Sequence, residues 1–433
     1  MKHNRFVAWL AGTALAIGMV GGGLPQLDAA QALPAGESLF GWTWAPHRDA
    51  ATAGGNTERL WANLASHTSH VKFSSAGNYI KFNAVPFGAT APTSLQLLVR
   101  GGGNNMTFTV LAADAGADKS TAVELGNALL TFANTEHAPM RVLTIDLTQN
   151  LDTLTGDKDI YLECVSGSDA KVSYVQLLPN GRTSGYELFR LIYYAEGINL
   201  GNMAAGTALT TFSSTLADAK TLLASDYTEA GLAAMITSLK SAIGGLESTA
   251  TTLAAMPLTI DVGATTPADS LAADQAYTTT SGYGYTGEGQ TYSTATTITG
   301  DGADLYPSAM KTTRLLGSGS SSPKAVQYQF DVDPGFYTVK LYFSENVNAS
   351  QDRSWWINVN GDEKADSYNA RTAGGGQYKG SSQTYTDVDA SGGWINVLTG
   401  ALPLAVVEIT QQAPPTPADP NTIYVNAATG SDT

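Results

Sequence analysis

Apolar and polar residues alternate in short runs through the first part of the chain, residues 36 to 180. Met106, Phe108 and Val110, for example, are separated by single threonines. Because successive side chains of a strand point to opposite faces, a period of two predicts strands. The stretch 101–105 between two such runs holds only glycine and asparagine, which predicts a turn. Several short strands separated by turns favour a β-sandwich over this block.

The period changes to that of a helix over residues 186 to 250. Apolar residues recur every three or four positions over 209–223 and again over 232–246, and an earlier helix is predicted over 186–195. Thr228 is a suitable N-cap for the last helix, and a pair of glycines marks its end. Three short helices with polar outer faces indicate a small bundle, which we interpret as a spacer.

Strand patterns return over residues 257 to 412. The runs 326–332 and 337–343 both alternate, and Asp-Pro-Gly at 333–335 separates them, so a hairpin is predicted. A further run over 355–359 ends at an Asn-Gly turn. The expected fold class is therefore a mainly β multidomain protein, in which two β-sandwiches are separated by a small three-helix bundle.

Composition and charge argue against two classes of binding partner, nucleic acids and anionic membranes. The 433 residues carry a net charge of −15, with 38 acidic against 23 basic side chains. A nucleic acid or an anionic membrane would select a basic face, so neither is expected as the main partner. Hydrophobic residues make up 43% of the chain, which is enough to build a core in each predicted domain.

The N-terminus, residues 1 to 32, has the features of a secretory signal. Two basic residues precede an apolar run over 6–20, and Ala30-Gln31-Ala32 is a small-x-small cleavage site. A secreted, extracellular or cell-surface location is expected, with no membrane segment after signal removal; a membrane anchor is the alternative. The single cysteine, Cys164, cannot form an internal disulfide and is predicted to be a buried apolar residue.

The third block carries an ordered set of motifs. These are IDVG at 260–263, LY at 305–306, TTR at 312–314, PGFYTVKLYFSE at 334–345 and RSWWINVNG at 353–361. Over residues 258 to 410 they resemble the malectin-like family of carbohydrate-binding domains. The resemblance implies a galactose-binding-like β-sandwich of the jelly-roll type.

The same resemblance implies glycan binding through aromatic side chains in loops at one end of the sandwich. Tyr283 and Tyr306 match ligand-facing tyrosines of the family, and Tyr285 lies beside the first. A sugar ring stacks its C–H face on an aromatic plane, and Glu345 is a candidate partner for its hydroxyl groups. Asn346-Val347-Asn348 departs from malectin, which has aromatics there. The alternatives are packing roles for the tyrosines and a hydrogen bond within the sandwich for Glu345.

The first block has motifs of its own. The run VKFSSAGNYIKF at 71–82 and the closing run VSYVQL at 172–177 resemble family 6 and 35 carbohydrate-binding modules. In that pattern Phe73 matches a position that often holds a sugar-stacking tyrosine. The later loop that usually carries a stacking tryptophan reads TEHAPM over 135–140, where His137 is the only aromatic ring. A linking or protein-contact sandwich is the alternative to a sugar site in this block.

Two shorter resemblances concern the middle and the end of the chain. LADAKTLL at 216–223 and SLKSAIGGL at 238–246 resemble the FIVAR-type helical spacers of secreted glycan-active proteins. After a Pro-rich linker at 413–421, the tail 422–433 resembles the first strand of right-handed parallel β-helix proteins, such as pectate-lyase-like enzymes. A β-helix coil needs stacked neighbours, so we expect the native chain to continue beyond this tail, with an exposed tail as the alternative.

No catalytic constellation is apparent in the sequence. It lacks HExxH, paired cysteines and a GxSxG motif. The Gly-x-Gly-x-x-Gly pattern at 282–287 has no βαβ unit around it, so it does not indicate a dinucleotide site. We interpret His67 and His70 as the end of a loop rather than as metal ligands. A structural calcium ion suits a galactose-binding-like module, but no dense aspartate cluster assigns its ligands.

Three functional hypotheses remain open. The first is a secreted multimodular region that binds a polysaccharide or oligosaccharide through aromatic stacking. The second is the targeting arm of a polysaccharide lyase or glycosidase whose catalytic β-helix begins at the tail. The third is a cell-surface structural or adhesive protein whose sandwiches contact other proteins. An acidic chain without disulfides is compatible with all three.

Overall fold

The computed structural model describes much of the chain after residue 37. The described residues are 38–44, 50–51, 55–64, 67–73, 75–88, 91–100, 105–130, 141–167, 170–179, 181–287, 289–315, 325–346, 354–414, 425–426 and 431–432. The signal-like residues 1 to 32, His137 and most of the linker at 413–421 lie outside the described residues. Within them, no helix is both long enough and apolar enough to cross a membrane.

Strands predominate, and three longer helices interrupt them midway. The N-terminal strands are β1 (Thr43–Trp44), β2 (Ala50–Ala51), β3 (Gly55–Leu64), β4 (His67–Phe73), β5 (Tyr79–Phe87), β6 (Pro92–Arg100), β7 (Met106–Asp114), β8 (Val123–Leu130), β9 (Arg141–Asp146), β10 (Gly156–Ser166) and β11 (Ala170–Pro179). The helices that follow are α1 (Tyr186–Glu196), α2 (Thr207–Ala224) and α3 (Glu229–Gly244).

The C-terminal half returns to strands and has one short helix. Its strands are β12 (Leu258–Asp261), β13 (Ala272–Ala273), β14 (Tyr283–Tyr285), β15 (Gln290–Ser293), β16 (Thr299–Gly300), β17 (Thr312–Leu315), β18 (Val326–Asp331), β19 (Phe336–Ser344), β20 (Ser354–Val359), β21 (Asp362–Asn369), β22 (Lys379–Asp389), β23 (Trp394–Gly400), β24 (Leu404–Gln412), β25 (Val425–Asn426) and β26 (Ser431–Asp432). The short helix α4 (Ala370–Gly374) precedes β22. The mainly β multidomain fold class is thus confirmed.

Strands β1 to β11 build an N-terminal sandwich from two antiparallel sheets. One sheet has the order β3-β4-β11-β6-β9, with β1 added beside β11, and the other has the order β2-β5-β10-β7-β8. Residues from both sheets, such as Leu97 and Phe108, meet in one closed core. Cys164 is fully buried in that core, as predicted, and burial raises the pKa of its thiol. His67 and His70 lie on β4, a strand rather than a loop end.

Strands β12 to β24 build a C-terminal sandwich. Its larger sheet has the order β13-β12-β24-β19-β22-β16, with β17 attached at β24 and β15 paired with β17, and its smaller sheet has the order β14-β18-β23-β20-β21. Along β19, Leu341 and Phe343 enter the core between the sheets, while Tyr342 belongs to a separate cluster. Because side chains alternate along a strand, Tyr342 lies on the outer face of the larger sheet.

The predicted hairpin at 333–335 is wrong. Strands β18 and β19 both form, but β18 pairs with β14 and β23 whereas β19 pairs with β22 and β24. The Asp-Pro-Gly segment therefore carries the chain from one sheet to the other. A turn sequence signals a reversal of direction and does not distinguish a reversal within one sheet from a crossing between two layers. The Asn-Gly turn after β20, by contrast, joins an antiparallel pair, β20 and β21.

The three helices pack against one another, and their buried residues also join the cluster of the C-terminal sandwich, while their role as a spacer stays a prediction. Phe212 of α2 and Leu239 of α3 belong to the same buried cluster as Phe330 and Ile395 of the C-terminal sandwich. The helix bounds agree with the sequence period, and the Thr228 hydroxyl caps α3 by accepting from the Gly231 N–H at 3.1 Å. The helices therefore pack against the C-terminal sandwich.

Two buried glutamines of β18 bind the helical segment. The alternation of Gln327 and Gln329 with apolar neighbours suggests an outward polar face, but both side chains are covered. Gln327 Nε2 donates to the Tyr194 carbonyl at 3.1 Å, and Gln329 Nε2 donates to the Asn199 carbonyl at 2.9 Å. A Cβ at Gly197 would lie 1.7 Å from Gln327 Oε1, so only glycine permits this close approach without a rearrangement.

The N-terminal sandwich also contacts the helices, through Trp42. Its indole ring stacks on Phe189 at a centroid distance of 5.4 Å and an interplanar angle of 20°. The backbone N–H of Trp42 donates to the Leu223 carbonyl at 2.7 Å, and Gln176 Nε2 donates to the Tyr227 hydroxyl at 2.6 Å. The helical segment therefore contacts both sandwiches.

The tail contributes one small ladder. Val425–Asn426 pairs antiparallel with Ser431–Asp432. The other residues of the tail 422–433 lie outside the described residues, so its resemblance to a β-helix strand stays a prediction.

Candidate functional site

Phe73 lies in the core of the N-terminal sandwich. Its side chain is 1% exposed, and its ring meets Phe108 edge-on at a centroid distance of 4.9 Å. A ring enclosed on its faces by protein has no plane to offer a sugar. The structure therefore corrects the stacking role predicted for Phe73: it is a core residue. The sequence motif placed Phe73 on a strand correctly, but it did not show that the Phe73 side chain lies on the buried face of that strand.

Tyr283 and Tyr285, the edge tyrosines, lie on one face of the edge strand β14. They pair with Phe330 and Tyr328 of β18, and both remain half-buried. The Tyr283 hydroxyl donates to the Ala273 carbonyl at 3.2 Å, and burial raises the pKa of this phenol. The strand fixes both rings about 7 Å apart along its length.

A buried ion pair supports Tyr285. The guanidinium carbon of Arg314 lies 3.8 Å from the centre of the Tyr285 ring. Arg314 Nε and Nη2 donate to Asp274 Oδ2 at 2.9 and 2.8 Å, and the Tyr328 hydroxyl donates to Asp274 Oδ1 at 2.8 Å. Burial opposes the charge on Arg314, but Tyr328, Asp274 and Tyr285 outweigh it and raise its pKa. One face of the Tyr285 ring is thus occupied by a fixed cation.

Tyr306 belongs to a separate group of residues, the outer cluster, on the outer face of the larger sheet. This cluster consists of buried Ile298, Ala309, Met310, Tyr342, Ala405 and Val406, with Leu271, Tyr306 and Tyr378 packed against them. The half-buried Tyr306 ring meets Tyr342 edge-on at a centroid distance of 5.4 Å. Its hydroxyl donates to Glu408 Oε2 at 3.1 Å, which fixes the orientation of the phenol.

Polar and charged groups surround Tyr306. The Tyr342 hydroxyl also donates to Glu408 Oε2, at 3.3 Å, and Lys340 Nζ lies 4.7 Å from the centre of the Tyr342 ring. Burial and the neighbouring Glu408 carboxylate raise the pKa of Tyr306 to about 12. The phenol therefore keeps its proton at neutral pH and remains a donor. Leu305, the preceding residue, is 64% exposed and adds apolar surface beside the ring.

Glu345 lies inside the protein, at the end of β19. Its side chain is 1% exposed, and its carbonyl accepts from the Tyr378 N–H at 2.9 Å. The next residue, Asn346, accepts from the Thr313 hydroxyl at 2.9 Å and donates to the Lys311 carbonyl at 2.9 Å. Burial favours the structural alternative for Glu345 over direct contact with sugar hydroxyls.

Four of the five candidate residues thus fall into three places, and the fifth, Glu345, is buried at the end of β19. The edge tyrosines pack on the large core of the C-terminal sandwich, Tyr306 packs on the outer cluster, and Phe73 is enclosed in the N-terminal core. Tyr378, which the sequence reasoning missed, joins Tyr306 on the outer cluster and also contacts Glu345 through its backbone. A tyrosine after three glycines is the sequence signal that could have drawn attention to it.

Two further features, potential metal-binding groups and a surface cleft, do not involve the candidate tyrosines. No group of three or more His, Cys, Asp and Glu side chains in the described segments is arranged to bind a metal ion. A polar cleft of about 220 Å³ lies beside the end of α3, and its lining, which includes Asn360, Asp387 and Trp394, contains none of the candidate tyrosines. The cleft follows the seam between the helix and the sandwich, where Trp394 Nε1 donates to the Leu246 carbonyl at 2.9 Å.

Comparisons with known proteins give only weak likenesses. No family model matches the chain, and no curated protein matches it. Among solved structures, CsCBM6-3 from Clostridium stercorarium in complex with cellobiose has 17% identity and a TM-score of 0.26, over 33% of this chain and 95% of that one. A β-1,3-glucan-binding CBM6 from Bacillus halodurans has 17% identity and a TM-score of 0.25, over 33% and 98%.

A longer likeness is to β-glucuronidase 2 of Bacteroides uniformis. It has 13% identity and a TM-score of 0.30, and it covers 75% of this chain but only 28% of the glucuronidase. TM-scores of this size carry no argument about the ligand or the activity of the chain. The fold described above rests on the strands, sheets and cores of the protein itself.

Proposed function

We propose that the chain is a carbohydrate-binding region and that its C-terminal sandwich holds the binding surface. The observation that carries the proposal is the geometry of Tyr306. Its ring is half-buried, its hydroxyl is fixed by Glu408 at 3.1 Å, and Leu305 beside it is 64% exposed. A fixed aromatic plane next to apolar surface suits the C–H face of a sugar ring.

The groups around this plane suit the hydroxyl edge of the same sugar. Glu408 and Asp301 supply carboxylate acceptors, and Lys340 supplies an ammonium donor beside Tyr342. Burial lowers the pKa of Lys340 less than its hydrogen bond to Tyr342 raises it, so the amine stays charged at neutral pH. Hydrogen bonds between charged groups and sugar hydroxyls give orientation as well as affinity.

The edge tyrosines form a second, separate surface for the same class of ligand. Tyr283 and Tyr285 present rings on one face of β14, with Arg314 held behind Tyr285 by Asp274. Two modest sites on one chain gain affinity for a polymeric glycan through their effective concentration. We expect a secreted protein in which this region directs a longer glycan-active chain to its polysaccharide.

A second function, protein contact, is favoured for the N-terminal sandwich by its edge strand β8. Val123 is 38% exposed and Leu129 is 61% exposed, and both lie on this strand at the edge of its sheet. Apolar side chains on an exposed sheet edge suit pairing with another protein. Loss of such an association in Leu129→Lys, with no response to added sugar, would support this role.

The glycan proposal is tested by titrating the full chain with cellotetraose, xylotetraose and laminaritetraose. Binding of at least one is expected, and Tyr306→Ala should weaken it by about tenfold, since loss of a stacking contact costs on the order of 1 kcal/mol. The matched control is Tyr79→Ala, because Tyr79 is a half-buried tyrosine of the N-terminal sandwich. No binding by the wild type, or a loss confined to Tyr79→Ala, would contradict the proposal.

A further inference from the structure

Tyr378 occupies a backbone conformation that bulky residues avoid. Its φ is +57°, in the left-handed region where a side chain meets its own backbone. Glycines fill positions 374 to 376, one residue further back, yet the strained position itself holds a tyrosine. Strain of this kind costs free energy and persists only where the surrounding structure imposes it.

Two backbone hydrogen bonds hold Tyr378 in place. Its N–H donates to the Glu345 carbonyl at 2.9 Å, and its carbonyl accepts from the Thr299 N–H at 3.2 Å. The segment thereby joins the end of β19 to the strand β16. Its ring is half-buried and packs on the outer cluster, the same cluster against which Tyr306 packs.

The strain has no evident benefit for folding alone. The two hydrogen bonds use only backbone atoms, so a glycine at 378 would make both of them without the conformational cost. The backbone hydrogen bonds therefore do not explain why a residue with an aromatic side chain occupies position 378. Part of the ring surface is buried against the outer cluster, and the rest of it is accessible to solvent.

We propose that Tyr378 is a second sugar-stacking residue of the Tyr306 surface, and that the two rings bind successive units of one oligosaccharide. This rests on the proposed glycan-binding function. The outer cluster brings the two tyrosines to one surface, although they are far apart in the sequence. Two aromatic planes on one surface predict that affinity rises with the number of sugar units, because each added unit gains a stacking contact.

The test compares Tyr378→Gly with the wild-type full chain, using glucose, cellobiose, cellotetraose, xylotetraose and laminaritetraose as probes. Tyr378→Gly should unfold at a urea concentration close to that of the wild type, because relief of the backbone strain offsets the lost packing of the half-buried ring. It should bind the best tetrasaccharide about tenfold more weakly and lose the gain from longer chains. Tyr378→Asn, which also tolerates the left-handed region, should behave alike, whereas Tyr378→Phe should bind like the wild type.

The matched control is Asp387→Gly. Asp387 has the same φ of +57° and lies at an exposed position of β22, the strand that begins just after Tyr378, so its replacement relieves similar strain without removing a ring. Wild-type affinity is expected for this variant. If Tyr378→Gly and Tyr378→Asn bind like the wild type while Tyr306→Ala does not, the inference is overturned and the proposed function stands. If the wild type binds none of the probes, both are overturned.

Discussion

The two sandwiches complete their cores in different ways. In the N-terminal sandwich, side chains from two antiparallel sheets close one core between them. In the C-terminal sandwich, the buried cluster extends through the smaller sheet into α1, α2 and α3. The C-terminal sandwich thus has one face covered by the helices, while its other outer face carries the outer cluster. The N-terminal sandwich meets the helices at a smaller contact around Trp42.

The aromatic residues of the two sandwiches also differ in their surroundings. Phe73 is enclosed, and the half-buried Tyr79 has Lys119 Nζ at 4.7 Å from its ring centre. Tyr306 has a carboxylate at its hydroxyl and an exposed leucine beside it. A ring whose hydroxyl is fixed by a carboxylate and that lies beside an exposed leucine suits the C–H face of a sugar, whereas one face of the Tyr79 ring is already occupied by an ammonium group.

The largest expected effect is a loss of stability in the N-terminal sandwich that leaves sugar affinity unchanged. Phe73→Ala removes a fully buried ring and should destabilise the N-terminal sandwich by about 3–5 kcal/mol. Urea denaturation followed by hydrogen exchange in β5 and β10 measures this. Affinity for oligosaccharides should stay at the wild-type value under native conditions. A selective loss of sugar affinity without a loss of stability would restore Phe73 as a stacking residue.

The next prediction tests the shared core. Leu239→Ala in α3 should cost about 2–5 kcal/mol, and the loss should appear in the C-terminal strands as well as in the helix, because one buried cluster contains both. Hydrogen exchange of β18 and β23 measures it. Leu97→Ala is the matched control, since Leu97 is equally buried in the N-terminal core. Unchanged exchange in β18 and β23 would show that the helices form a separate unit.

The two sandwiches should also respond in opposite directions to acid. Burial alone would raise the pKa of Asp159, but hydrogen bonds from Lys81 and from the Ala84 and Gly116 amides outweigh it and lower the pKa. Its contribution is therefore complete above the ordinary carboxyl pKa and is lost as pH falls through the lower folded value. Asp159→Asn should cost about 1.5–3 kcal/mol at neutral pH and less in acid.

Asp261 of the C-terminal sandwich is the counterpart. Burial raises its pKa by more than hydrogen bonds from Thr312 and Ala268 lower it. A raised carboxyl pKa disfavours the folded state at neutral pH, and this penalty is relieved as pH falls through the folded value. Urea midpoints measured from pH 7 to pH 3 should therefore show opposite changes in pH dependence for Asp159→Asn and Asp261→Asn. Parallel changes would contradict the assignment of either carboxyl.

The smallest expected effect concerns the orientation of the Tyr306 ring. Tyr306→Phe keeps the ring and removes the hydrogen bond to Glu408, so stability should fall by about 0.5–1.5 kcal/mol. Sugar affinity should fall by less than in Tyr306→Ala, because the stacking plane remains. Calorimetric titration with the best tetrasaccharide compares the two variants. Equal losses would mean that the hydroxyl, and not the ring, makes the contact with sugar.

Local sequence patterns predicted the helices and strands of this fold, but they did not predict which elements pair or pack with one another. The period of the apolar residues placed α1, α2 and α3 within a few residues of their bounds, and the strand that ends at the Asn-Gly turn is present as β20. The Asp-Pro-Gly turn gave the wrong pairing, because the choice between one sheet and two depends on contacts distant in the sequence. Gln327 and Gln329 alternate with apolar residues along β18, yet both are buried, because carbonyls of the helical segment replace water as their acceptors.

The candidate site was predictable only in part, for a similar reason. Motif matching selected Tyr283, Tyr285 and Tyr306, which remain half-buried, but also Phe73 and Glu345, which are enclosed. A matched position specifies a place on a strand, while exposure depends on what packs over it. Tyr378 escaped notice because its φ and its place on the outer cluster arise from the folded chain.

The central claim is that the C-terminal sandwich binds the glycan, and the most direct test is hydrogen exchange of the full chain with and without its best tetrasaccharide. The account predicts slower exchange in segments 299–312 and 375–380, with smaller protection around 283–292 and no change in 71–82. Protection confined to 71–82 and the other strands of the N-terminal sandwich would contradict it.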